Sequence, residues 1–309
     1  MRWLGPVLFI LAANGLAQPL IDYHQHLFHP AGTGLAPESP TVTADELIAY
    51  LDAAGIRRAL VLSVAYQFAN PNRPAVEDEY AKVRAENDWT SAQVARYPGR
   101  LRGFCGLNPL RDYAIRELER CAQDPHLRTG IKLHFGNSDV DLDNPAHVKR
   151  VRQVFHEANR HGMAIVVHMR SSVTRQRPFG ARETRVFLTR LLPARSRVPV
   201  QIAHLCGAGD YDPSIDAALG VFVDAITHHD RRMAHVYFDI SLTAIAKSKE
   251  TDELIATRVR QIGLGRVLFG SDGAIPGNSP REYWMRFRQL PLTAAEFQAI
   301  EANIAPHMK

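Results

Sequence analysis

The sequence predicts a single closed (β/α)8 barrel, the TIM-barrel fold of the α/β class. Three observations carry the expectation. Short apolar or β-branched runs alternate with longer amphipathic stretches along the chain. Several of those runs are apolar on both faces, as strands covered by helices must be. The 309 residues, 46% hydrophobic and 22% charged, suit one such domain, since barrels commonly occupy roughly 250 residues.

Residues 1–17 stand apart from the rest. Arg2 precedes an apolar stretch from Trp3 to Ala13, and small residues follow up to Gly15-Leu16-Ala17. A charged start, a short apolar core and a small-residue cleavage site are the parts of a secretory signal. The stretch is well short of the roughly 20 apolar residues that span a bilayer, so no stable membrane anchor is expected. The expectation is a cleaved signal over 1–17, a secreted or periplasmic protein, and one barrel domain over 18–309; the alternative is a cytoplasmic protein whose N-terminal helix packs against the barrel.

The strands are expected at Leu20–His24, Ala59–Val64, Leu101–Leu107, Gly130–His134, Ala164–His168, Val198–His204, His235–Ile240 and Val267–Gly270. Helical patterns fall between them at Thr43–Ala54, Val76–Tyr97, Asp112–Ala122, Pro145–Arg160 and Asp252–Gly263. The first opens on Thr43-Ala-Asp-Glu46, a capping box in which hydroxyl and carboxylate satisfy orphan backbone donors. Eight strands in strict alternation with helices point to closure rather than an open sheet. The longest irregular piece, Tyr66–Pro74, follows the second strand, where barrel loops build sites.

Three cysteines, Cys105, Cys121 and Cys206, show no CxxC spacing. They read as buried free thiols with no structural bridge. The net charge of +5 is unevenly spread: eight arginines lie between Arg170 and Arg197 against one acid, Glu183. From Arg182 onward this reads as a solvated helix face. Neither interleaved aromatics nor a known module supports nucleic-acid binding.

Polar residues stand where strands end, which in a barrel is where chemistry gathers. The first strand runs into Asp22-Tyr-His24-Gln-His26, the fifth ends in His168, the sixth in His204, and the eighth leads to Ser271-Asp272. His24 and His26 are two apart, so an extended backbone points both to one side. Two imidazoles so placed are half of a first-row metal site, and His168 and Asp272 are placed to complete it. Three nitrogens and one carboxylate oxygen suit a single divalent ion, Zn2+ first, with Mn2+, Fe2+ and Co2+ also compatible. Lys132 and His134 are likewise two apart. Lys132 is open to two roles on this reading, a substrate anchor or half of a buried ion pair. Arg170, two residues past His168, suits a substrate carboxylate, with Arg175 and Arg177 assisting from the same loop. Salt bridges that prop the loop are the competing reading for all three. His228, His229 and His307 read as surface or helix residues without a role.

These motifs resemble the amidohydrolase superfamily, in particular the amidohydrolase-related branch that also contains non-oxidative decarboxylases. The resemblance runs from Ile21 nearly to the end, through IDYHQH, GIKLH at 130–134, IVVHM at 165–169, VQIAHLCGAG at 200–209, VLFGSD at 267–272 and the closing ANIAPHM, which is similar to the branch's terminal helix. It implies His24, His26, His168 and Asp272 as metal ligands, with Asp272 also accepting a proton, and His204 as the catalytic imidazole beside them. The implied function is hydrolysis of an amide, ester or lactone in a small, anionic, carboxylate-bearing substrate by metal-activated water. The alternative is non-oxidative decarboxylation. A catalytically inactive binding barrel would lack a ligand, and none is missing. A homo-oligomer is left open, as is a third role for Lys132 that the resemblance raises, a carboxylated lysine bridging two metal ions as in binuclear members of the superfamily.

Overall fold

A computed structural model describes residues 19–29, 41–195, 197–209, 211–243, 245, 247–273 and 278–309. The expected signal segment lies outside the described residues. Eight parallel strands follow one another in sequence order: β1 (Ile21–Gln25), β2 (Arg58–Leu62), β3 (Leu101–Gly106), β4 (Gly130–His134), β5 (Ala164–His168), β6 (Val200–Ile202), β7 (Val236–Asp239) and β8 (Val267–Leu268). Past β8 the chain returns to β1, where Tyr23 N–H donates to Phe269 O and Asp272 N–H to His24 O, so the sheet comes round on itself as a (β/α)8 barrel. Gly270 permits that approach, because a Cβ there would sit 2.8 Å from the Cβ of His24.

The helices are α1 (Ala44–Ala54), α2 (Glu79–Ala95), α3 (Ala114–Gln123), α4 (Phe135–Ser138), α5 (Pro145–Arg160), α6 (Ala181–Val186), α7 (Pro213–Thr227), α8 (Lys249–Ile262), α9 (Pro280–Phe287) and α10 (Ala294–Glu301). The capping box at Thr43 and Glu46 is present, and Ser279–Glu282 and Thr293–Glu296 repeat it at α9 and α10.

Alternation along the strands builds two cores. Ala59, Val61, Ile131, Leu133, Ile165 and Val167 point outward into the layer beneath the helices. Leu60, Leu62, Phe104, Ala164 and Val166 point inward and pack with Ile21, Tyr23 and Leu268. Ala305 and Met308 join this inner cluster, so the last residues plug the end of the barrel where strands begin. Arg58 and Arg102 fasten the plug by donating to the carbonyls of Met308 and His307. The closing ANIAPHM is therefore a 3-10 turn, Pro306–Met308, beyond α10 rather than a terminal helix; Pro306 has no N–H with which to continue one.

Three sequence expectations need correction. Cys105 and Cys121 form a disulfide between β3 and α3, with Cα atoms 6.2 Å apart, and only Cys206 is free and buried. The pairing crosses two elements sixteen residues apart, which no short-range cysteine spacing registers. His307 is buried, its Nε2 3.2 Å from Gln201 Oε1, because the plug carries it inside. Arg195 is also buried, donating to the carbonyl of Arg232, and belongs to no solvated face.

Candidate metal centre

The strand ends deliver their polar groups to one cavity of about 330 Å3, lined by His24, His26, Lys132, His134, His168, His204 and Asp272. Phe28, Val64, Tyr66, Gln67, Ala208 and Leu242 complete its wall. Tyr66 and Gln67 come from the irregular segment after β2, part of which forms a 3-10 turn over Ala65–Ala69.

His24, His26 and His204 are oriented by what the outer nitrogen of each ring touches. In β1 the pairing register with β2 breaks between Asp22 and Gln25. Beyond that irregularity both His24 and His26 reach the cavity. Nδ1 of His24 lies 3.1 Å from Asp239 Oδ2, so it carries the proton and leaves Nε2 bare. Nδ1 of His26 lies 2.6 Å from the carbonyl of Leu62, with the same consequence. The two bare nitrogens face one oxygen, Asp272 Oδ1, at 3.4 Å and 3.2 Å. β6 stops at Ile202 rather than at His204, because His204, Leu205 and Cys206 all take left-handed backbone angles. That turn puts Nδ1 of His204 2.8 Å from the carbonyl of Ser241, leaving its Nε2 bare as well.

The convergence tests the fit of a metal. Nε2 of His24 and Nε2 of His26 converge on a carboxylate oxygen, a set of ligand atoms that a cation between them would satisfy. Lys132 Nζ, 3.0 Å from Nε2 of His24, is the cation beside them among the described residues. Ligand atoms of His24, His204 and Asp272 lie within 4.8 Å of one another. His168 lines the same cavity but stands back from that group, its ring stacked on His134 at 3.9 Å and 4.8 Å from that of His204. Imidazole and carboxylate donors of this kind fit a divalent first-row ion.

The local electrostatics agree. Burial, with Lys132 nearby, lowers the pKa of His24 to about 4, so it is neutral and able to ligate. Burial pushes His134 and His168 well below the ordinary histidine range, with Lys132 and His204 adding to it in both. Burial would raise the Asp272 carboxyl, but His24, His26 and His204 more than offset it and hold it well below the carboxylate range. Asp239 behaves in the same way, burial being outweighed by His24 and His204. Lys132 is 1% exposed, lowered to about 8 by burial, and its Nζ lies 3.0 Å from Nε2 of His24.

The arginines sit elsewhere. Arg170 pairs with Asp212 at 3.0 Å and donates to Ser214 Oγ at 3.2 Å. Arg177 holds both oxygens of Asp139 at 2.9 Å, and Arg175 bridges Asp139, Asn72 and the carbonyl of Pro71. None of the three lines the cavity among the described residues. These ion pairs are what the competing reading, a braced loop, expects of them.

The family model described as Amidohydrolase matches residues 21–303. The chain belongs to the amidohydrolase family. No curated protein matches the sequence. Among solved structures, 5-carboxyvanillate decarboxylase from Sphingomonas paucimobilis is similar at 16% identity and TM-score 0.63, covering 92% of this chain and 96% of that one. A probable 2-pyrone-4,6-dicarboxylic acid hydrolase from Acinetobacter baumannii, with citric acid bound, matches at 18% identity and TM-score 0.58 over 92% and 96% of the two chains. A dihydroxybenzoic acid decarboxylase from a Polaromonas species, with bound manganese and 2-nitroresorcinol, matches at 16% identity and TM-score 0.58 over 92% and 94%.

Within this amidohydrolase barrel, two residues of the site went unmentioned or unassigned in the sequence. Asp239 ends β7 in the run VYFD, a carboxylate at a strand's C-terminal end, and that position was its available signal. His134 shares parity with Lys132, which was its signal.

Proposed function

We propose that this chain is a metal-dependent hydrolase that cleaves an amide, ester or lactone in a small carboxylate-bearing substrate. The observation that carries the reading is the meeting of His24 Nε2, His26 Nε2 and Asp272 Oδ1, with each imidazole's tautomer set from behind. His24, His26, His168 and Asp272 would hold one divalent ion, zinc or manganese foremost. When bound, such an ion supplies Lewis acidity, polarising a carbonyl and making water a nucleophile near neutral pH. Asp272, kept ionised, is equipped to accept a proton rather than to give one. His204, with its Nδ1 spent on Ser241, offers a bare Nε2 to a proton or a substrate group. Lys132 replaces Arg170 as the cation available to a substrate carboxylate, being the one lysine or arginine that lines the cavity among the described residues.

A second reading, non-oxidative decarboxylation, is favoured by the wall of Phe28, Val64, Tyr66 and Leu242, which would accept a planar ring. The two reactions differ in product. Purified protein should carry about one divalent ion per chain, and His24→Ala and Asp272→Ala should lose metal and turnover together. His204→Asn should keep the metal and lower kcat roughly 100-fold, the scale of a lost acid–base group. A panel of carboxylate-bearing lactones, esters and amides, run beside hydroxybenzoates with CO2 detection, separates hydrolase from lyase. Full turnover after thorough metal stripping would overturn both.

Export remains part of the proposal. It is supported by the pattern of residues 1–17 and by the Cys105–Cys121 disulfide, a bond that persists in oxidising compartments. No helix among the described residues is long and apolar enough to cross a membrane. Mass spectrometry of the protein from its native host should find Gln18 near the mature N-terminus.

A further inference from the structure

We propose that His134 is a catalytic residue that donates a hydrogen bond from Nε2 to an sp2 oxygen of the substrate, facing the acceptor cluster across the cavity. The argument begins with parity. Ile131 and Leu133 face the outer core, so Lys132 and His134 face inward, and both line the cavity. At the end of β4 the chain turns into the four residues of α4, and the turn brings the Asn137 N–H to Nδ1 of His134 at 3.1 Å. A ring nitrogen that accepts a hydrogen bond carries no proton. The neutral ring therefore holds its proton on Nε2.

This is the opposite tautomer to that of His24, His26 and His204. Those three spend Nδ1–H on Asp239, Leu62 O and Ser241 O and present bare Nε2 atoms. His134 spends its lone pair on the backbone and keeps an N–H. Among the described residues Nε2 of His134 has no acceptor and is not a buried orphan, and the ring lines the cavity. The ring is held against the His168 ring at 3.9 Å and 22°, and its centroid lies 5.2 Å from that of Tyr66.

A donor fixed in this sense has no lone pair left for a metal, and it suits an oxygen. Charge grows on a carbonyl oxygen as a nucleophile adds, and a preorganised N–H strengthens its bond to that oxygen as it does so. A carboxylate oxygen would be held by the same group. The identity of the substrate rests on the function proposed above; the donor sense of His134 does not.

The test uses 15N-histidine-labelled full-length protein, metal-loaded, with benzoate as the carboxylate probe. NMR should report the Nε2–H tautomer for His134 and the Nδ1–H tautomer for His24, His26 and His204. Benzoate should shift the His134 Nε2 proton. His134→Phe keeps an aromatic ring against His168, so it should retain metal yet weaken benzoate roughly tenfold or more, as expected for loss of a hydrogen bond to a charged group. His134→Gln, which keeps a donor, should stay within about threefold of wild type. An Nδ1–H tautomer at His134, unaltered benzoate affinity in the Phe variant, or no benzoate response from metal-loaded wild type would each overturn the proposal. Failure of wild type to take up metal counts against the hydrolase reading instead, and the tautomer, set by Asn137, is read in that same sample.

Discussion

The carboxylate of Asp239 lies 3.1 Å from Nδ1 of His24, and that contact decides which nitrogen of the imidazole faces the cavity. The same carboxylate accepts from Gln201 Nε2 at 2.6 Å and from the backbone N–H of His204 at 3.0 Å. One buried acid thus orients the His24 imidazole and anchors the backbone of His204. Gln201 in turn meets His307 in the plug, so a line of polar contacts runs from the bottom of the barrel to the mouth.

Asp239→Ala is expected to weaken metal binding by about 10–100-fold, the usual effect of removing a carboxylate behind a ligating histidine. Asp239→Asn should lie between, since its amide oxygen still accepts from Nδ1. Competition with a chromogenic chelator measures the affinity, and circular dichroism checks that the barrel has formed. Wild-type affinity in the Ala variant would mean that His24 needs no such support.

Arg170→Ala should depress kcat/KM equally for a carboxylate substrate and for its neutral methyl ester, because the guanidinium is occupied by Asp212 and Ser214. Lys132→Met should instead penalise the acid selectively. The comparison of acid and ester in both variants is the measurement. A selective loss of the acid in Arg170→Ala would restore that arginine as a substrate contact.

His307 makes a signed prediction about pH. Burial lowers its pKa to about 3, whereas the unfolded chain takes up the proton near 6.5. Protonation therefore favours the unfolded state: the contribution is fully present above about pH 6.5 and is lost progressively as pH falls toward about 3. Its slope is on the order of 1.4 kcal/mol per pH unit across that window. Urea unfolding of wild type and His307→Gln between pH 4 and 7.5 should show the variant with a shallower slope, by about one proton. Parallel slopes would refute it.

The Cys105–Cys121 bridge closes a loop with a sequence separation of 16, for which chain-entropy reasoning gives about 3 kcal/mol of stabilisation. The Cys105→Ala/Cys121→Ala double variant should unfold at correspondingly lower urea. Alkylation of denatured, unreduced wild type should label Cys206 alone. Labelling of all three thiols in protein from an oxidising compartment would show that the bridge does not form.

Much of the site was legible because barrels place chemistry at strand ends, and a strand's end can be read from where an apolar run meets a polar residue. His24, His26, His168, His204 and Asp272 were found in this way, Lys132 by its parity with His134, and all six line one cavity. Asp239 obeyed the same rule and was passed over, since one acid after VYF differs little from a surface aspartate until its burial is known. The arginines' partners were not legible, for the complementary reason. Proximity in sequence to His168 says nothing of which acids other loops bring, and Asp139 and Asp212 arrive from residues about 40 positions away.

Sequence by itself determined the barrel, the order of its strands and the set of residues at its mouth, because periodicity and strand-end position are local properties of the chain. Tertiary structure alone decided the pairing of Cys105 with Cys121, the burial of His307 in the plug and the occupation of Arg170 by Asp212. It also decided which nitrogen each histidine presents: bare Nε2 atoms at His24, His26 and His204, and an N–H at His134. An imidazole has the same composition in either tautomer. Only the partner on its far side, brought there by folding, chooses between a ligand and a donor.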